Sequence, residues 1–278
     1  MKLVSYQGRG AKGIGVLDGE NIIPISKVSD MINLIHLGDE GRTLAQAALE
    51  AREEAIPASE ITYLPPVVRP GKVIALGRNY AAHAAEGGAE PPKYPMLFHK
   101  THTSLNGANC PVVIPEGTKR VDYEAELAVI IGKTCKNVSE AGAFDYVYGY
   151  AAANDITARD WQRLTSQFTA GKMVDGFGPL GPTLVTADEI EDVQNLNITS
   201  HYNGQLMQSS NTKMMIFSVA FTIEYISKIC TLEPGDVILT GTPEGVGYAR
   251  KPPVYMQPGD EIVVEVEKVG VLKNHFVE

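Results

Sequence analysis

The chain has 278 residues, 44% of them apolar and 21% charged, with a formal net charge of −9. A chain of that length buries roughly three quarters of its unfolded surface, so it needs no disulfide or metal staple to fold. The acidic balance and the lack of any Lys/Arg cluster argue against nucleic-acid binding. No apolar run reaches the ~18 residues of a membrane span. The N-terminus lacks an apolar signal-peptide core. Cys110, Cys135 and Cys230 are few, odd in number and far apart, which suits reduced, structural thiols and a cytoplasmic location.

In chain order, residues 1–28 alternate apolar and polar side chains between glycine turns, predicting short antiparallel strands. Residues 29–56 predict helices, through DMINLIHL and RTLAQAALEAREEA. A Pro-rich linker follows, which divides a small N-terminal α+β unit (1–69) from a larger one (70–278). In the larger unit a Pro-Gly turn recurs before apolar strands, in RPGKVIAL, EPGDVILT and QPGDEIVVEV. Proline presets φ at the second turn position and glycine accepts a positive φ at the third. Further strands are predicted in PMLFHK, CPVVIP, YEAELAVIIG, GYAAAND, PTLVTA and LNITSHYNG. A helix starting at Ser139 and a long, largely buried one over NTKMMIFSVAFTIEYISKIC complete the set. Strands dominate without regular βαβ interleaving, so the fold class is mainly β within an α+β arrangement.

The segment from Val121 to Ile131 is the most informative. As one strand it presents Val121, Tyr123, Ala125, Leu127, Val129 and Ile131 on one face. Asp122, Glu124 and Glu126 share the other, about 7 Å apart along the strand. Crowded carboxylates repel and resist ionising, and a bound cation relieves both effects. Oxygen donors select Mg²⁺, Mn²⁺ or Ca²⁺ over zinc. The competing reading is a charged, solvated edge strand. Asp155 ends a small-residue strand, where it can act as a third ligand or cap the helix expected next.

The motifs GRNYAAHAAE (77–86), MLFHK (96–100), VDYEAELAVIIGK (121–133), NDITARDWQ (154–162), GK (171–172), PLGP (179–182) and GDVILTGTPEGVG (235–247) occur in one order over residues 70–278. In that order they resemble the fumarylacetoacetate hydrolase superfamily, in particular its acylpyruvase-like and oxaloacetate decarboxylase-like members. The resemblance implies a mixed β-sandwich roll for the catalytic domain, a homodimer, and Mg²⁺ or Mn²⁺ held by Glu124, Glu126 and Asp155. It places Asp122 outside the ligand set, to orient a neighbour of the ligands or to be solvated. It makes His83 and Glu86 a catalytic dyad on a lid segment; their i, i+3 spacing puts both on one helical face. Lys172 is implied as a site lysine that stabilises an enolate, and Thr242 as a contact for the substrate carboxylate. Arg78 and Gln162 are further substrate-side candidates, with Asn79 and Lys100 in support. Residues 163–174 depart from the family pattern, and this stretch would border the pocket. The activity implied is hydrolytic C–C cleavage of an acylpyruvate-like oxo-acid. The alternatives are oxaloacetate decarboxylation, or isomerase, lyase or hydrolase chemistry on a sugar-derived 2,4-diketo acid. Neither a membrane nor nucleic acid is an expected partner.

Overall fold

The computed structural model describes residues 1–8, 10–52 and 54–278. A long mixed sheet runs through the molecule. Its strands lie in the order Ile56–Pro57, Asn21–Pro24, Ala11–Asp18, Lys2–Gly8, Leu184–Thr186, Val147–Asn154, Ala125–Ile131, Val237–Leu239, Val73–Gly77, Met96–Lys100. Thr62–Leu64 also pairs with Lys2–Gly8. The N-terminal strands therefore continue the sheet that carries the acidic strand, joined where Lys2 and Leu3 face Val185 and Leu184. A second sheet of five strands includes Asn197–Tyr202, Gln205–Asn211, Glu261–Val266 and Gly270–Val277. Among the described residues no helix is long and apolar enough to cross a membrane.

The alternation along Ala125–Ile131 explains the layering. Leu127, Val129 and Ile131 enter one core with Ile223 and Ile226 of the helix Val219–Ile229. Ala128 and Ile130 enter another with Leu34 and Ile35 of the helix Met31–His36. Each fully buried Leu or Ile contributes roughly 1.5–3 kcal/mol of apolar transfer. A strand covered on both faces reads as a nearly continuous apolar run, which places it centrally and not at an edge.

Several local expectations change. The strand expected over 121–131 is two pieces, Val121–Asp122 and Ala125–Ile131, and the first pairs with Thr157–Ala158 in a separate ribbon. The long helix over residues 211–230 shortens to Val219–Ile229. Ser218 takes the N-cap, its Oγ accepting from Phe221 N at 3.1 Å, and Thr212–Met214 forms only a single 3₁₀ turn. Residues Glu140–Tyr146 are 3₁₀, and the Ser139 side chain makes no capping bond. Of the three Pro-Gly turns, Gly235 (φ 88°) and Gly259 (φ 92°) take the positive φ, whereas Gly71 does not.

Gly149 allows the sheet to close around Leu184–Thr186, because a Cβ there would lie 2.1 Å from the Val185 carbonyl oxygen. Gly149→Ala is expected to cost about 1–3 kcal/mol through overpacking, read as a lower urea midpoint. An unchanged midpoint would show that the strand pair can spread.

Candidate active site

The break between the two pieces of the acidic strand builds the site. At Glu124 the backbone leaves the ladder and is pinned from two sides. Its N–H donates to Asn154 Oδ1 at 2.9 Å, and its carbonyl accepts from Asp155 N at 2.9 Å. The register that sets Ala125 opposite Asn154 then brings Glu124 against Asp155 at the end of the small-residue strand. Gln208 secures the next residue: its Oε1 accepts from Ala125 N at 3.0 Å, while its Nε2 donates to Thr242 Oγ1 and the Pro243 carbonyl, both at 2.8 Å. The turn after Val237–Leu239 approaches closely because Gly241 sits at φ 93°, where a Cβ would lie 2.7 Å from Asn79 Cβ. Its N–H donates to Glu126 Oε2 at 2.8 Å.

Glu124, Glu126 and Asp155 each turn one carboxylate oxygen into a group whose atoms lie within 4.8 Å of one another, and all three residues are buried. The edge-strand reading of the acidic face is thus excluded. Asp155 is not a helix cap: the helix Arg159–Gln162 starts after Ala158 with no side-chain cap. Buried cations surround the acids. Lys172 Nζ lies 2.6 Å from both Glu124 Oε2 and Asp155 Oδ2. Lys100 Nζ lies 2.8 Å from Asp155 Oδ1 and donates to the Lys172 carbonyl. Arg159 reaches Glu124 Oε1 at 2.7 Å and Asp122 Oδ2 at 2.8 Å.

Asp122 is wholly buried and accepts from Arg159 Nε, from Gly247 N at 2.8 Å and from Tyr248 N at 3.1 Å. It orients a neighbour of the acidic group and is not solvated. Arg159 and Lys100 hold larger roles in this geometry than their places in the motifs suggested. Both meet acids across long chain separations, which no local pattern encodes. The same holds for Gln208.

Four buried carboxylates thus face three buried cations, and the unmatched one is Glu126. Burial, then Asp155 and Glu124, push the Glu126 carboxyl well above its usual range. Burial acts the same way on Glu124, but Lys172, Arg159 and His83 outweigh it and bring that carboxyl down to about 2. Burial lowers Lys100, helped by the neighbouring Lys172 charge, whereas Asp155 and Glu124 raise Lys172 despite its burial. An all-oxygen donor set with one uncompensated acid fits a hard divalent cation. Such an ion would reverse the local excess to positive and so attract a carboxylate.

Beside the acids lies a cleft of about 170 Å³, lined by every substrate-side candidate, Arg78, Gln162 and Thr242, together with His83, Glu124 and Lys172. His83 sits on the short helix Ala81–Glu86 with Nδ1 2.8 Å from Glu86 Oε1. Glu86 Oε2 accepts from Gly245 N at 2.9 Å, which ties this helix to the glycine turn. A carboxylate accepts, so Nδ1 is the donor in this pair and Nε2 is the ring nitrogen left free of Glu86.

Residues 72–277 match the fumarylacetoacetate (FAA) hydrolase C-terminal family. The chain belongs to the fumarylacetoacetate hydrolase family. The oxaloacetate tautomerase fahd2, mitochondrial, of Xenopus laevis is 41% identical, covering 100% of this chain and 90% of that protein. The oxaloacetate tautomerase Fahd2a, mitochondrial, of Rattus norvegicus is 43% identical over 95% of this chain and 85% of its own. Among solved structures, the fumarylacetoacetate hydrolase of Exiguobacterium antarcticum is 36% identical, with a TM-score of 0.88, covering 100% of this chain and 99% of that one. The maleylpyruvate hydrolase of Sphingobium sp. SYK-6, solved with manganese(II) and pyruvate, is 33% identical with a TM-score of 0.85, again covering 100% and 99%. The match confirms the family and the mainly β fold expected from the motifs. The mitochondrial compartment belongs to the names of those two tautomerase relatives.

The raised carboxyl gives a pH test. An acid whose value is raised by folding keeps its proton in the folded state, so it subtracts stability once it must ionise. Through Glu126, metal-free protein should lose stability as pH rises above the ordinary carboxylate range toward the raised value. Glu126→Gln should therefore melt higher than wild type at pH 8 without metal, while losing the stabilisation that Mn²⁺ gives wild type. Calorimetry with and without Mn²⁺ checks both; a variant still stabilised by Mn²⁺ would remove Glu126 from the ligand set.

Proposed function

We propose that this enzyme is a divalent-metal-dependent tautomerase of a small 2-oxo acid of the oxaloacetate type. Two kinds of support converge on this reading. Relatives named oxaloacetate tautomerase match the chain almost end to end at 41–43% identity. The observation that carries it is His83, bonded to Glu86, on the same small cleft as Glu124, which clusters with Glu126 and Asp155 behind it. Glu124, Glu126 and Asp155 would hold Mg²⁺ or Mn²⁺, which would supply Lewis acidity toward a keto oxygen and so acidify the neighbouring carbon.

Keto–enol exchange moves one proton between the enol hydroxyl and C3, and no bond between heavy atoms breaks. His83 Nε2 accepts that proton and returns it, and Glu86 holds the imidazole in the tautomer that can do so. Lys172 places a positive charge beside the oxygen where negative charge gathers. Thr242, fixed through Gln208, and Gln162, whose Oε1 accepts from Arg159 at 3.3 Å, border the substrate. The homodimer implied by the sequence motifs stays part of this proposal.

C–C hydrolysis of an acylpyruvate is the second reading, favoured by the full-length likeness to a maleylpyruvate hydrolase. It uses the same residues, with His83 taking the proton of an attacking water. The two separate in one assay. With Mg²⁺ or Mn²⁺, the ultraviolet absorbance of enol-oxaloacetate should decay rapidly, and acetylpyruvate should turn over slowly or not at all. His83→Ala should lower the rate by roughly 10²–10⁴ while leaving Mn²⁺ affinity unchanged. Fast acetylpyruvate cleavage would select hydrolysis instead, and full activity of His83→Ala would exclude the dyad from either reaction.

A further inference from the structure

The cationic side chains of the cleft fall into two classes. Arg159 and Lys172 are already committed to the buried carboxylates Asp122, Glu124 and Asp155. Arg78 and Arg163 also line the cleft, and among the described residues neither makes an ion pair with a carboxylate. Arg163 directly follows the short helix Arg159–Gln162, four residues after Arg159, within the stretch that departs from the family pattern. Both guanidiniums sit over the Tyr248 ring, Arg159 with Cζ 4.5 Å from the centroid and Arg163 at 5.0 Å. Tyr248 is itself fixed, its backbone N–H bonded to the buried Asp122.

Arg163 is therefore placed beside the cleft by its contact with the Tyr248 ring, and no carboxylate among the described residues engages its N–H donors. A guanidinium so held can still bind a carboxylate in two-pronged fashion, which a lysine at the same place cannot reproduce. Arg78 adds a second observation. It holds a left-handed backbone conformation, φ 56°, unusual for a residue other than glycine. Strain of this kind is kept where surrounding structure enforces it, commonly at ligand sites.

We propose that Arg163, propped on Tyr248 and assisted by Arg78, is the specificity-determining residue that recognises a second carboxylate on the substrate, remote from the one directed at the acidic cluster. This deepens the oxo-acid reading above and rests on it. One carboxylate and the keto group would face the acids and Lys172, while the far carboxylate meets the unpaired guanidiniums.

The test compares two four-carbon 2-oxo acids that differ in the far group: fresh oxaloacetate, with a terminal carboxylate, and 2-oxobutanoate, with a methyl. Each is titrated calorimetrically into Mn²⁺-loaded wild type, Arg163→Gln and Arg163→Lys. Wild type should bind oxaloacetate more tightly, and Arg163→Gln should weaken oxaloacetate roughly tenfold or more, the scale of a lost charged hydrogen bond, with 2-oxobutanoate unchanged. Arg163→Lys should recover only part of the loss. Arg163 is exposed, so neither variant threatens folding. Equal affinity of wild type for both acids, an unchanged oxaloacetate affinity in Arg163→Gln, or the same loss for both acids would overturn the assignment. Failure of wild type to bind either acid in a Mn²⁺-dependent way would instead overturn the oxo-acid reading beneath it.

Discussion

The architecture around the site is governed by the cost of burying charge. Taking an ion out of water costs several kcal/mol even after relaxation, unless partners replace the lost hydration. Here Asp122, Glu124, Glu126 and Asp155 are all buried, together with Lys100, Arg159 and Lys172. The protein meets most of that cost with its own cations and backbone N–H groups. Among the described residues it leaves Glu126 with only the Gly241 N–H as a hydrogen-bond partner, beside two other acids that push its proton affinity up. That incomplete compensation is what makes the cluster a cation site and not merely a salt-bridged core.

Compensation also explains why so many distant segments converge. Asp155 draws in Lys100 from the edge strand Met96–Lys100 and Lys172 from the turn of helix Thr169–Lys172. Asp122 gathers Arg159 with the backbone of Gly247 and Tyr248, so that one buried carboxylate sets both the guanidinium beside Glu124 and the aromatic ring beneath Arg163. Replacing one member would leave its partner buried and unpaired, the costly outcome for such groups. The His83–Glu86 helix joins the same framework through the Gly245 N–H.

Much of this was legible in the sequence, and physical reasons divide what was from what was not. The alternation that carries Leu127, Val129 and Ile131 is a local property of one strand, and so are the Pro-Gly turns at 234–235 and 258–259. The convergence of Glu124, Glu126 and Asp155 could be anticipated only through the ordered motifs, since spacing alone permitted a solvated strand and a helix cap. The break at Tyr123–Glu124 escaped because it arises from tertiary pinning by Asn154 and not from any glycine or proline. The overlong helix failed differently: the apolar run before Ser218 is a 3₁₀ turn followed by irregular chain, bonded through Phe217 N to Asn79 Oδ1 at 2.8 Å, and apolar periodicity cannot separate that from helix. Lys100, Arg159 and Gln208 act through long-range contacts that no local pattern records.

The central claim is that three acids, Glu126 within a strand and Glu124 and Asp155 just beyond the ends of two paired strands, hold one hard divalent ion. Anomalous diffraction from crystals equilibrated with Mn²⁺, collected at the manganese edge, tests it most directly. The account predicts a single strong peak at coordination distance from one oxygen each of Glu124, Glu126 and Asp155. A map with no peak there, with Lys172 still bridging Glu124 and Asp155 at saturating Mn²⁺, would contradict it.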